Sequence, residues 1–124
     1  MKLVFVYNAD SGMFNTMADI AHKMLSPKTY NCNLCMLTHG YFSTRKDWLD
    51  FLQTLNIEME FLHRDELVKH HPDSSDALPA VFIEHDKFDL LMGADEIHAL
   101  QSVEALQDLI KKKIKYFVNA SNII

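Results

Sequence analysis

The two cysteines of this chain are the side chains best suited to chemistry, and they stand three positions apart in the segment NCNLCM (31–36). The same spacing occurs in dithiol redox pairs and in one half of many zinc sites. Three roles are open to Cys32 and Cys35: packing as small buried residues, thiol redox chemistry, and metal binding with His39 as a third ligand.

The geometry expected around the two cysteines favours packing over redox chemistry, and redox chemistry over metal binding. Segment 29–38 (TYNCNLCMLT) has the composition of a strand. On a regular strand, residues three apart face opposite sides, with their α-carbons about 10 Å apart, beyond the reach of a disulfide. A bulge at Asn31 or Asn33 is required to bring the two sulfurs together.

A zinc site also needs a fourth ligand at a defined position, and the sequence does not supply one. The remaining histidines are scattered along the chain and are predicted to lie on the solvated surface: His22, His63, His70, His71, His85 and His98. A metal site at Cys32, Cys35 and His39 is therefore the least favoured of the three roles.

Hydrophobic patterns predict the elements that position these side chains. Residues 2–7, 29–38 and 57–63 are predicted strands, and the runs on either side of Asp86-Lys87 form a predicted antiparallel hairpin. Predicted helices begin near Asp10, at the capping box of Thr44, at Arg64 and at Ser102. The last of them is expected to end near Phe117. The order predicts an α/β fold, with a mixed sheet and helices on both of its faces.

The segment ALPAVFIEHDKFDLLMGADEIHAL (77–100) resembles the second half of a glutaredoxin. That family has a T-V-P-x-V-F-I stretch, matched here by LPAVFI (78–83), and a G-G-x-D-D-L stretch, matched by GADEI (93–97). The resemblance implies a thioredoxin-like fold in which Pro79 is a cis-proline that opens a strand. It also implies that Asp95 and Glu96 take the place of the acidic pair that holds the amine of glutathione.

The sequence departs from the glutaredoxin pattern after the first strand, where the family has its C-x-x-C at the start of a helix. Here that place is taken by NADSGM (8–13), which contains no thiol. Backbone amides at a helix start bind anions and Ser11 offers a hydroxyl, but Asp10 disfavours anions and is expected mainly to cap the helix. In a thioredoxin-like fold, the turn of Asp10, Ser11 and Gly12 lies close to Pro79.

A second resemblance joins YNADSG (7–12) and LCMLTHG (34–40), which are similar to segments of short bacterial proteins, some of them described as GTPases. A phosphate-binding loop requires a glycine-rich stretch that ends in Gly-Lys-Ser/Thr. No such string occurs in this sequence, which has three glycines. The residues therefore do not support GTP binding.

Composition limits the partners of the chain. Its 124 residues predict one domain, assigned to 1–118, followed by a tail at 119–124. The net charge of −5 argues against nucleic acid and anionic membranes. The run LVFVY (3–7) is too short for a signal peptide, and no run is long enough to span a membrane, so a cytoplasmic location is expected.

These patterns predict a thioredoxin-like domain that binds a small molecule, a thiol peptide or a protein segment without catalysing a reaction. The predicted ligand-binding residues are Asp10, Ser11, Gly12, Pro79, Asp95 and Glu96. The alternatives are a thiol redox protein that uses Cys32 and Cys35, and a metal-binding protein that adds His39 to them. The sequence does not identify a cofactor.

Overall fold

The computed structural model describes residues 1–8, 34 and 46–121. Within these ranges four strands and four helices have described bounds, and they are numbered here in chain order. They are β1 (Lys2–Val6), α1 (Lys46–Thr54), β2 (Glu58–Leu62), α2 (Arg64–His70), β3 (Ala80–Glu84), β4 (Phe88–Met92), α3 (Ala94–His98) and α4 (Val103–Ser121).

The four described strands form one mixed sheet in the order β2-β1-β3-β4. Strand β1 pairs in parallel with β2 and antiparallel with β3, and β3 pairs antiparallel with β4. The predicted α/β class, mixed sheet and hairpin are therefore confirmed. The parallel pairing of β1 with β2 is expected of strands joined by a connection that contains a helix.

Strand β1 is buried on both faces, because each face of the sheet is covered. The first face contributes Leu3, Phe5 and Ile83 to a core that includes the inner sides of α1 and α4. The second face contributes Val4, Val6, Leu62, Ala80 and Phe82, and these pack against Leu67 of α2. Helices thus lie on both faces, as the sequence predicts.

Helix α1 presents its apolar side to the first face of the sheet. Trp48, Phe51 and Leu52 recur at helical spacing and are all buried. The Trp48 ring meets the Phe5 ring edge to face, with their centroids 5.7 Å apart and their planes at 89°. That arrangement suits the ring quadrupoles and adds to the free energy gained by burial.

Helix α4 is longer than the sequence predicts. Its predicted inner residues Val103, Leu106 and Ile110 are buried in the core, but the helix continues from the expected end at Phe117 to Ser121. The division into a domain at 1–118 and a tail at 119–124 stays a prediction. No described helix has the length and apolar character that crossing a membrane requires.

The predicted strand over 29–38 is wrong at the one residue of that segment that the structure describes. Leu34 is helical and fully buried, and it packs in the core of the first face. Short apolar runs are the least decisive pattern in a sequence, because a buried helix and a buried strand both produce them. The predicted helix that begins near Asp10 and the capping box at Thr44 lie outside the described residues.

The hairpin and the segment before it match the sequence closely. The turn between β3 and β4 lies at residues 85–87, where the His85 N–H donates to the Lys87 carbonyl over 3.1 Å. The register shifts between Val81 and Phe82, which is an irregularity of the bulge kind. The peptide bond between Leu78 and Pro79 is cis, as the resemblance to glutaredoxins implies.

Candidate functional site

Four chain segments meet at one edge of the sheet. Val6, the last residue of β1, pairs with Leu62, the last residue of β2, and with Ala80, the first of β3. Val81 pairs in turn with Met92, the last residue of β4. We name this region the Pro79 edge. It comprises Tyr7, Asn8, His63, Arg64, Asp76, Ala77, Leu78, Pro79 and Gly93–Glu96.

The strand order sets the length of the Pro79 edge. From β2 to β4 the sheet crosses three spacings between neighbouring strands. At about 4.8 Å each, the edge is about 14 Å long. The carboxyl ends of parallel strands in open sheets are common places for ligands, and the ends of β1 and β2 both lie here.

At the β1–β2 end of the edge, the residues that follow the two parallel strands contact each other. The Tyr7 N–H donates to the Leu62 carbonyl over 2.9 Å, which extends the pairing beyond β1. The Arg64 guanidinium donates to Asn8 Oδ1 over 3.4 Å, and the rings of Tyr7 and His63 lie 6.0 Å apart between centroids. Asn8, the first residue of the NADSG turn, is thereby placed next to α2.

His63 and Glu66 form a tight pair at the start of α2. Glu66 Oε1 accepts the backbone N–H of His63 over 2.9 Å and lies 2.6 Å from His63 Nδ1. The hydrogen bond with the His63 side chain is the main reason that the pKa of Glu66 lies below its usual value, and the backbone hydrogen bond adds to the effect. Glu66 therefore caps the helix and orients the imidazole ring.

This pair is not among the predicted site residues, and His63 is less solvated than the sequence predicts. Its side chain is 25% exposed and bonded to a carboxylate. Two features of the sequence point to it. His63 directly follows β2, an alternating strand that is parallel to β1, and Glu66 stands three residues later, which is the capping-box spacing.

At the β3–β4 end of the edge, Glu96 is engaged within the fold. Its Oε1 accepts the backbone N–H of Gly93 over 3.2 Å, and its Oε2 lies 2.7 Å from Lys113 Nζ on α4. The hydrogen bond with Lys113 is the main reason that the pKa of Glu96 lies below its usual value. Glu96 holds the corner between β4, α3 and α4. Both carboxylates of the predicted pair are exposed, but that of Glu96 is already engaged by Gly93 and Lys113.

A cavity of about 330 Å³ lies at the same end of the edge. It is bordered by Asp76 and Ala77 on the loop before Pro79, by Leu90 of β4, and by the corner at 93–96. The cavity thus lies between the loop that leads into the LPAVFI stretch (78–83) and the GADEI stretch (93–97), the two stretches that resemble glutaredoxins. Pro79 itself is buried, so it shapes the loop beside the cavity rather than facing it.

The other predicted site residues lie outside the described residues: Asp10, Ser11, Gly12, Cys32, Cys35 and His39. Within the described ranges, no group of three or more histidine, cysteine, aspartate or glutamate side chains is arranged to hold a metal ion. The described part of the site therefore consists of the Pro79 edge and its cavity.

Comparisons with known proteins gave no match to a family model, to a curated protein or to a solved structure.

Proposed function

We propose that this protein is a thioredoxin-like domain that binds a small amine or thiol peptide, or a similar segment of a partner protein, at the Pro79 edge without catalysing a reaction. The observation behind the proposal is the meeting of four chain segments at one edge of the sheet. Two of these segments are the ones that resemble glutaredoxins, and a cavity lies between them.

The described topology supports the thioredoxin-like part of the proposal. A parallel pair of strands is followed by an antiparallel hairpin and a final helix. Helices α1 and α4 contact the first face of the sheet, whereas α2 contacts the second. A thioredoxin-like domain requires such a mixed sheet with helices on both faces.

The charges along the edge suit a ligand that has both an amine and a carboxylate. Asp76 and Asp95 supply carboxylates at the β3–β4 end, and Arg64 supplies a positive charge at the β1–β2 end. An extended tripeptide is about 10 Å long, so it fits within the edge length of about 14 Å. In this arrangement the amine of the ligand lies beside Asp95, because Glu96 already pairs with Lys113.

The experiment is a titration of the ¹⁵N-labelled protein with reduced glutathione, followed through its backbone amide resonances. We expect saturable shifts at 93–96 and at Tyr7–Asn8. Asp95→Asn should weaken binding by about three- to tenfold, because it removes one partly exposed charge pair. Asp86→Asn is the matched control, since this exposed carboxylate lies at the hairpin turn, at the opposite end of β3. Absence of saturable shifts, or equal effects of the two variants, would refute the proposal.

The same titration with glutathione disulfide distinguishes the thiol alternative. Non-covalent binding leaves the mass of the protein unchanged. A mixed disulfide on Cys32 or Cys35, detected by mass spectrometry, would instead favour a redox role for the pair and count against a purely non-catalytic domain.

A further inference from the structure

The loop between α2 and β3 supplies one wall of the cavity at the Pro79 edge. It spans residues 71–79, and Asp76 and Ala77 are the loop residues that border the cavity. Both are exposed, and within the described part of the chain neither takes part in a hydrogen bond or an ion pair. Their position therefore depends on how the loop is held on either side of them.

On the β3 side, packing and strand pairing hold the loop. Leu78 is partly buried and packs against the core of the second face of the sheet, and Pro79 is buried. Ala80 then pairs with Val6 of β1. This side of the loop is thus fixed by the sheet itself.

On the α2 side, His71 holds the loop through both its backbone and its ring. Its N–H donates to the Leu67 carbonyl over 2.7 Å, and its carbonyl accepts the Ser74 N–H over 3.0 Å. Its ring stacks on Phe88, with the centroids 3.8 Å apart and the planes at 8°. Phe88 stacks in turn on the buried ring of Phe82 at 4.4 Å. The stack of rings therefore joins this side of the loop to the β3–β4 hairpin.

The two attachments of His71 respond differently to substitution. The backbone hydrogen bonds do not depend on the side chain, whereas the stack requires a ring at position 71. From the usual strength of such ring pairs, loss of the ring should make opening of the loop about two- to tenfold more frequent. We propose that His71 is a positioning residue of the Pro79 edge, which holds Asp76 and Ala77 at the cavity by stacking on Phe88.

This role links ligand binding at the Pro79 edge to a contact on the second face of the sheet. The link rests on the proposed function, whereas the effect of His71 on the loop does not. A ligand that requires the closed loop binds only the closed fraction of the molecules, so its apparent affinity falls with that fraction. By linkage, the bound ligand must also stabilise the closed loop.

The first test uses the free protein. Because the Ser74 N–H is bonded to the His71 carbonyl, its hydrogen exchange reports opening of the loop. We expect His71→Ala to speed this exchange about two- to tenfold and to shift the amide resonances of Asp76 and Ala77. His71→Phe keeps a ring and should restore both. His70→Ala is the matched control, since this neighbouring histidine is exposed.

Unchanged exchange and resonances in His71→Ala, or no recovery in His71→Phe, would overturn the proposal. Phe88→Leu breaks the same stack from the side of the hairpin. Its effect on Ser74 exchange should not add to that of His71→Ala, because the two substitutions remove one contact. Additive effects would count against the stack as the cause. The amide spectrum of each variant verifies its fold.

The second test adds reduced glutathione. His71→Ala should weaken binding at least about twofold, whereas His71→Phe and His70→Ala should bind like wild type. Bound glutathione should also slow Ser74 exchange in the wild-type protein. Failure of the wild type to bind would refute the proposed function, and the exchange measurements would still decide the role of His71 in the loop. Equal binding by wild type and His71→Ala would refute the link between the stack and the Pro79 edge.

Discussion

Replacing Glu96 tests how the β3–β4 corner of the Pro79 edge is held. Glu96 makes two interactions that different substitutions remove separately. Glu96→Gln keeps an acceptor for the Gly93 N–H but abolishes the ion pair with Lys113. Glu96→Ala removes both interactions. The difference between the two variants therefore isolates the capping hydrogen bond.

The expected losses of stability follow from the solvent exposure of the two side chains in the ion pair. The side chains of Lys113 and Glu96 are 33% and 42% exposed, so their ion pair is expected to contribute about 0.5 kcal/mol. The capping hydrogen bond to Gly93 adds about 0.5–1 kcal/mol. We therefore expect the free energy of unfolding to fall by about 0.5 kcal/mol in Glu96→Gln and by about 1–1.5 kcal/mol in Glu96→Ala.

Urea denaturation at two pH values measures these differences. Because folding lowers the pKa of Glu96 from its ordinary value of 4.5, its ionised form stabilises the protein at pH values above that value. This contribution is lost as the pH falls through the pKa of the folded state. The difference in the free energy of unfolding between wild type and Glu96→Gln should therefore reach its full value at pH 7 and disappear well below pH 4.5.

A double-mutant cycle with Lys113→Met checks that the effect comes from the ion pair. The two single substitutions should not add, and the coupling energy should be about 0.5 kcal/mol. A coupling of zero, or a Glu96→Gln effect that persists at low pH, would refute the reasoning.

Three further predictions concern the core and the connections, and urea denaturation tests each of them. Trp48→Ala should cost about 3–5 kcal/mol because it empties a fully buried position, whereas the exposed neighbour Leu49→Ala should cost about 0.5 kcal/mol or less. Asn56 has a φ of 53°, so Asn56→Ala should cost about 1 kcal/mol while Asn56→Gly should be close to neutral. Lys2 lies 3.3–3.4 Å from two carboxylates on neighbouring strands, and Lys2→Met should cost less than about 1 kcal/mol, with a smaller effect at high salt.

Much of the described fold is predictable from the sequence because its apolar patterns are long or strictly alternating. The inner face of α4 recurs at helical spacing over several turns, which no strand reproduces. Met59 of β2 packs towards the first core and Leu62 towards the second, as residues of odd spacing on a strand must. The β3–β4 hairpin is marked by two apolar runs around a polar turn.

The candidate site is only partly predictable from the sequence. The order and register of the paired strands determine which loops come together, and the sequence does not specify them. The sequence indicates Pro79 and the Asp95–Glu96 pair through the resemblance to glutaredoxins. Yet neither the engagement of Glu96 with Lys113 nor the pairing of His63 with Glu66 follows from the resemblance. His71 likewise stacks on Phe88 instead of lying free in solvent. No local pattern in the sequence predicts a contact between residues so far apart.

The role expected of the cysteine pair depends on whether segment 29–38 is a strand. The sequence favours packing of the two cysteines because residues three apart on a strand face opposite sides. Leu34, between the two cysteines, is helical and fully buried, so that reason does not hold at this residue. The role of the thiols then has to be argued from reactivity, which follows thiolate character and access.

The non-catalytic proposal makes a definite prediction about these thiols. Cys32 and Cys35 should react with a thiol reagent slowly in the native protein and rapidly only after unfolding. A buried, protonated thiol is a poor nucleophile, whereas a catalytic thiol must be accessible and partly ionised near neutral pH. Labelling of the native protein followed by mass spectrometry of its peptides measures both residues separately. Fast labelling of Cys35 at pH 7 would contradict the proposal, because a binding domain has no need of an accessible thiolate.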